Sequence, residues 1–244
     1  MVLATMILVT ARIGIFALDH FHMTLTIDTY RGILDRLGAG VQLVAVSKTK
    51  PAADIMAVYD MGQRDFGENY VQELVEKQRE LPADIRWHFI GHLQTNKVKQ
   101  LVAFVHLIHG VDSLRLLREI DKQAGIKGRV VDVLLQVHVA REETKFGLDA
   151  DELDALMREW RDAVARGGIA NARVRGLMGM ASNTSDAAVV RQEFRELKGM
   201  HDRYFPEGGI LSMGMSADYQ IAIEEGSNMV RIGSLLFGDR SEKR

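Results

Sequence analysis

Lys48 closes the run Val41-Gln42-Leu43-Val44-Ala45-Val46 within the stretch Val46-Ser47-Lys48-Thr49-Lys50-Pro51, where a buried strand would run out into a loop. A lysine at the mouth of a parallel sheet can project into a pocket. Desolvated there, it loses its proton and becomes an amine nucleophile able to form a Schiff base with an aldehyde. Many lysines after strands are only solvated surface charges, so the inference needs support from other residues. Two glycine- and serine-containing segments far down the chain, Gly214-Met215-Ser216 and Gly233-Ser234, each lead toward a helical segment and can offer backbone N–H groups and hydroxyls to a phosphate. Either alone is an ordinary loop or cap. Both at one corner of a fold would make an anion site.

The elements that must position these groups follow from periodicity. Short β-rich runs are expected at Val41–Val46, Arg64–Gly67, Arg86–Ile90, Phe104–His109, Val130–Val139, Arg173–Met180, Ile210–Met213 and Met229–Ile232. Helical periodicity lies between them, near Pro51–Met61, Tyr70–Glu80, Thr95–Val102, Ser113–Ala124, Asp151–Ala165, Asp186–Tyr204 and Ala217–Glu225. Pro51 suits a first helical turn, and Ser113 and Asp151 suit N-caps. Strands separated by helices pair in parallel through right-handed crossovers, and eight such units close most naturally into a single (β/α)8 TIM barrel, an α/β fold. An open doubly wound sheet would carry a glycine-rich fingerprint after its first strand, where this chain has Ser-Lys-Thr-Lys-Pro.

In such a barrel the C-terminal strand ends form the active face. Those ends carry Lys48, Gly67-Glu68-Asn69-Tyr70, His88 with Gly91-His92, His109 through Asp112, His138, the Met178 to Met180 and Ser212 to Ser216 stretches, and Arg231 through Ser234. Arg231 can point into the barrel mouth or outward to a surface carboxylate. The histidines at 88, 92, 109 and 138 have no recognised metal-ligand spacing, so no metal is expected. Met178, Met180, Met213 and Met215 read as packing. The absence of a Gly-x-Ser-x-Gly elbow and of a P-loop removes support for a serine hydrolase or a nucleotide phosphotransferase.

Composition narrows the classes further. The 244 residues carry 31 Lys and Arg against 33 Asp and Glu, so no global field draws nucleic acid or an anionic membrane. The chain has no cysteine, which excludes disulfides and thiol chemistry and suits a reducing cytoplasm. From Met1 to Leu18 the only charge is Arg12, and the first 22 residues lack the charge order and the small-residue cleavage site of a signal peptide. A membrane span there would bury Arg12. The expected organisation is an N-terminal extension over 1–22 and one domain over 23–244.

The motifs resemble those of the pyridoxal phosphate homeostasis family, single-domain relatives of alanine racemase. The resemblance rests on Val44 through Pro51, on Phe66-Gly67-Glu68-Asn69-Tyr70-Val71-Gln72-Glu73, on Trp87 through Lys97, on Arg175-Gly176-Leu177-Met178, on Leu211 through Asp218 and on Met229 through Gly233, in the family's order. His138 departs from the family's usual asparagine, His92 falls at a variable position, and residues 1–22 match nothing in the pattern. The resemblance implies a fold-type III barrel with Lys48 in Schiff-base linkage to pyridoxal 5′-phosphate. It further implies a phosphate grip of Ser216, Gly233 and Ser234, an Arg231 facing the pyridine nitrogen, and Asn69 and His88 lining the pocket. An arginine there does not readily protonate the ring, which weakens the cofactor as an electron sink.

The second base of alanine racemase comes from an added C-terminal β domain, for which a chain ending at Arg244 leaves no room. The expected function is therefore cofactor holding and delivery in vitamin B6 and amino-acid balance, without robust turnover. Pyridoxal phosphate is the expected ligand, apo-enzymes that use it are candidate recipients, and a monomer or weak dimer is the expected state. A weak amino-acid racemase would need a second base such as Tyr70 or a barrel-mouth histidine. A Schiff-base aldolase on a sugar phosphate would use the same lysine and phosphate corner. Lys50 and Lys145 compete with Lys48 for an aldehyde.

Overall fold

The computed structural model describes residues 27–142 and 145–238; the expectation for residues 1–22 lies outside them. Eight strands, β1 (Gln42–Val46), β2 (Asp65–Glu68), β3 (Arg86–Phe89), β4 (Leu107–Val111), β5 (Val131–Val137), β6 (Ala172–Gly179), β7 (Ile210–Met215) and β8 (Met229–Ile232), pair in sequence order into a closed barrel. All pairings are parallel, and β1 closes on β8 through Gln42↔Met229 to Ala45↔Ile232. This is the expected (β/α)8 barrel.

Residues 27–37 form a helix (α1). The others are α2 (Ala52–Asp60), α3 (Val71–Glu80), α4 (Val98–Leu101) after a 3-10 turn at Thr95–Lys97, α5 (Leu114–Ile126), α6 (Ala150–Ala165), α7 (Ala187–Tyr204), α8 (Tyr219–Glu224) and α9 (Ser234–Phe237). Sequence periodicity did not announce α1 and α9. The first buries Tyr30, Ile33 and Leu37 at helical spacing, and the second is a single turn too short to show a period. Among the described residues no helix is long and apolar enough to cross a membrane.

Two corrections to the expected elements have clear causes. The α6 N-cap is Asp149, not Asp151. Its side chain accepts from the Glu152 N–H while the Glu152 carboxylate accepts from the Asp149 N–H, a reciprocal capping box. The fourth strand starts at Leu107, not Phe104, because Phe104 and Val105 still donate to the Leu101 carbonyl as the end of the preceding helical turn. That shift moves His109 from the expected strand end to mid-strand.

Strand alternation divides the apolar residues into two bodies. Leu43, Ala45, Phe66, Phe89, Leu211 and Val230 belong to the large core between sheet and helices. Val44, Leu107, Leu134, Met178 and Met229 form a small separate cluster inside the barrel. On the inner side of β2, β3, β7 and β8 the same alternation places polar groups: Asp65, His88, Ser212 and Arg231, all buried.

The strand ends crowd closely at Gly91, where a Cβ would lie 2.2 Å from the backbone oxygen of Asn69. No side-chain motion relieves a clash with backbone. Gly91→Ala is therefore expected to cost roughly 1–3 kcal/mol through forced backbone displacement, read as a lower urea midpoint at unchanged slope.

Candidate functional site

A cavity of about 540 Å³ opens at the C-terminal mouth of the barrel, within the range of small-molecule sites. Lys48, Asn69, Ser216, Arg231, Gly233 and Ser234 all border it. His88 does not. It is fully buried one layer deeper, bonded to Asp65 and His109. The histidines at 92 and 138 are also elsewhere: His92 stacks on Phe146 and faces Asp112 at 3.4 Å, and the His138 ring meets the Glu142 carbonyl.

Lys48 is partly buried and sits in the turn that follows β1. That turn is held by charges behind it. The Ser47 hydroxyl donates to Glu68 Oε1 at 2.6 Å, and the Lys77 ammonium from α3 donates to the Ser47 carbonyl, Glu68 Oε1 and Glu73 Oε1 at 2.7–2.8 Å. Thr49 has a left-handed backbone, φ 63°, costly for a β-branched residue, and its N–H donates to Glu73 Oε1 at 2.6 Å. A cluster on α3 and β2 thus fixes the geometry of a strained turn beside the lysine. The two competing lysines are engaged with carbonyls: Lys50 Nζ donates to Phe237 and Gly238, and Lys145 Nζ to Ala181.

The phosphate-like corner lies beside it, where β7 and β8 end and β8 pairs with β1. Gly214 has φ 94°, and a Cβ there would lie 2.6 Å from that of Ala222, so only glycine turns the chain into α8 at this spacing. The turn carries Ser216 toward the start of α9, where its hydroxyl accepts from the N–H groups of Gly233 and Leu235 at 3.3 and 3.5 Å. Ser216, Gly233 and Ser234, remote in sequence from Lys48, meet it in one cavity.

Arg231 points inward, which resolves its two possible directions. One terminal nitrogen donates to both the carbonyl and the hydroxyl of Ser212 at 2.8 and 2.7 Å, and the other to the Gly179 carbonyl at 3.0 Å. Burial pulls its pKa down to about 10, opposed by the Asp218 carboxylate, so it stays a cation at neutral pH. Asn69 contributes a different feature: its Oδ1 is buried with no hydrogen-bond partner.

Sequence reading missed the parts that carry the site from behind. Glu68, Glu73 and Lys77 lie in the Glu68 to Lys77 stretch with spacing that fits an ordinary helical surface, and only the fold turns Lys77 under the Lys48 turn. Asp65, His88 and His106 place ligand atoms within 4.8 Å of one another, the one such group among the described residues. Both Asp65 oxygens are already engaged by the Arg86 guanidinium.

Comparison with known proteins places this geometry. The family described as alanine racemase, N-terminal domain, matches residues 27–241. The pyridoxal phosphate homeostasis protein of Aquifex aeolicus is 42% identical over 214 residues, covering 84% of this chain and 91% of that protein. PipY of Synechococcus elongatus, solved with pyridoxal phosphate bound, superposes with a TM-score of 0.78 at 35% identity, covering 87% of this chain and 100% of the other. Alanine racemase from Streptomyces coelicolor shares the fold at 18% identity, with a TM-score of 0.70 over 89% of this chain and 59% of its own.

The charge cluster behind Lys48 makes a pH prediction. Burial raises the Glu68 carboxyl above its usual value, opposed by Lys77 and Ser47. A carboxyl raised on folding binds its proton more tightly in the folded chain, so its contribution to stability is greatest in acid and falls as pH climbs through the raised value. Lys77→Met removes the main opposing charge and raises it further. The variant is expected to lose about 3–5 kcal/mol at neutral pH and to recover part of this as pH falls toward 5, read by urea unfolding across pH.

Proposed function

Because the chain belongs to the alanine racemase N-terminal domain family, and within it to the pyridoxal phosphate homeostasis proteins, we propose that it binds pyridoxal 5′-phosphate in the barrel-mouth cavity and serves cofactor homeostasis without robust turnover of its own. The observation that carries this reading is the meeting of Lys48 with Ser216, Gly233 and Ser234 in one cavity. The residues fit the group: the Gly233 and Leu235 N–H groups and the Ser216 hydroxyl suit the phosphate. The orphaned acceptor of Asn69 needs a polar partner that a ring substituent can offer.

Pyridoxal phosphate supplies an aldehyde open to attack by an unprotonated amine and a ring able to withdraw electrons. Lys48 supplies that amine, and its turn is fixed in place by Glu73 and Lys77. Arg231 offers a cation fixed by three hydrogen bonds, and a guanidinium with a pKa of about 10 holds its protons against a pyridine nitrogen. A guanidinium in that place would leave a bound pyridoxal ring a poor electron sink.

The carrier reading gains support from what borders the cavity. Among the described residues it is lined by Lys48, Lys50 and Arg231 and otherwise by amide, hydroxyl, thioether and apolar groups, with no histidine, tyrosine or carboxylate. A racemase needs a second base across the substrate carbon. Tyr70, the candidate for that role, is 57% exposed and does not line the cavity. Apo-enzymes that use pyridoxal phosphate are the proposed recipients, and the proposed setting is the cytoplasm.

The test is the visible spectrum of the purified full chain with added pyridoxal phosphate, before and after borohydride, alongside Lys48→Ala. The expected result is a visible absorption band that borohydride removes, with a pyridoxyl group on Lys48 by peptide mass spectrometry and none in the variant. A chain that stays colourless, or whose label falls on Lys50 or Lys145, overturns the reading.

A further inference from the structure

A line of polar side chains crosses the barrel interior from one mouth to the other. At the N-terminal mouth the Arg86 guanidinium donates to both Asp65 oxygens, and Asp65 Oδ1 also meets His88 Nε2 at 3.0 Å. His88 Nδ1 lies 3.0 Å from His109 Nε2, and His109 Nδ1 lies 3.2 Å from Ser212 Oγ. Ser212 Oγ in turn accepts from Arg231 at 2.7 Å. His88, His109 and Ser212 are fully buried, in a layer otherwise filled by the apolar inner cluster.

Counting donors and acceptors leaves two directions for the protons. The Asp65 carboxylate is fully engaged as an acceptor. Burial pushes it up, but the hydrogen bonds from Arg86 and His88 outweigh this and hold it well below the usual carboxylate range, so it is ionised. Complete burial, with the Arg231 guanidinium nearby, lowers His109 well below the usual imidazole value, so it is neutral and carries one N–H. If that proton sits on Nδ1, His109 donates to Ser212. Ser212 then receives two donors, its own hydroxyl proton has no acceptor in this line, and His88 must donate on both sides. If it sits on Nε2, His109 donates to His88 Nδ1, His88 Nε2 donates to Asp65, and the Ser212 hydroxyl donates to His109 Nδ1. Every donor then has an acceptor, which a buried line requires.

We infer that Asp65, through His88, His109 and Ser212, is a positioning residue for Arg231: the carboxylate at one mouth of the barrel orients every proton in the line, leaving the Ser212 oxygen to accept from the guanidinium at the other. The line polarises in one sense, from Arg231 to Asp65, and each bond strengthens the next. Reversal at Asp65 propagates to the cavity. Asp65→Asn leaves the line as it is, because its amide oxygen at the Oδ1 place still accepts from Arg86 and His88. Asp65→Ala removes that acceptor, so His88 and His109 lose what holds their protons on Nε2 and move them to Nδ1, and Ser212 receives donors from both neighbours. The link from Arg231 to ligand affinity rests on the proposed cofactor site; the proton arrangement does not.

The experiment is ¹⁵N NMR of histidine-labelled full chain without ligand, which reads the protonated nitrogen of each ring. Neutral Nε2–H forms are expected for both His88 and His109, and an Nδ1–H on either, or a doubly protonated His88, overturns the inference. In Asp65→Ala both are expected as Nδ1–H, with pyridoxal phosphate bound about fivefold more weakly, the scale of one hydrogen bond, while Asp65→Asn is expected to keep the original forms. A folded Asp65→Ala with the original His109 form overturns the inference equally. Should that variant not fold, the tautomers of the unaltered chain decide alone. A chain with the expected tautomers that binds no pyridoxal phosphate fails the functional reading and leaves the proton line standing.

Discussion

The closure of β1 on β8 is the contact on which the site depends. Lys48 belongs to the first strand and the anion corner to the last two, and the register Val44↔Arg231 and Ala45↔Ile232 places their ends side by side. The same seam sets Gly233 against Val46, where a Cβ would lie 3.3 Å from the valine's own. A shift of one residue along it would turn Arg231 from the interior to the helix-facing side, since side chains alternate across the sheet. The lysine alone has no electrophile to meet, and the serine and glycine corner alone is a loop.

Much of this was legible in the chain because it is local. The run before Lys48, the alternation of short β-rich stretches with helical periods and the glycines beside Ser216 and Ser234 are readable in windows of a few residues, and they led to the barrel, the lysine and the anion corner; of the seven pocket residues that the family resemblance implied, all but His88 border the cavity. His88 was read as a strand end because its neighbours look like one. Its depth depends on barrel stagger and tilt, which no window of sequence contains. The same limit hid Lys77. Its partners Ser47 and Glu68 lie 30 and 9 positions away, and nothing in a helix reading Val-Gln-Glu-Leu-Val-Glu-Lys says that its lysine is buried.

Charge burial is the recurring cost in this barrel, and in both clusters it is offset by multiplicity of partners. Lys77 has three oxygen partners, and Asp65 has a guanidinium and an imidazole. Buried ions stripped of water are tolerated on these terms, when geometry satisfies the remaining protons and lone pairs. The inner apolar cluster is correspondingly small, because polar side chains occupy positions that a fully packed barrel would give to branched aliphatics.

The Lys50 ammonium bonds to the carbonyls of Phe237 and Gly238, across the seam and 187 and 188 positions along the chain. Loop-closure entropy for a contact of that separation is about 2 kcal/mol greater than for the Ser47 to Glu68 contact, 21 positions apart. Pairing of neighbouring strands is rewarded early, whereas the seam gains little until the intervening units have shortened the effective loop. Among the described residues the barrel mouth is therefore assembled by the contacts most remote along the chain. A ligand that bridges β1 to the β7 and β8 ends would act as a cross-link on a loop that takes in nearly the whole barrel, drawing its stabilisation of the fold from that separation.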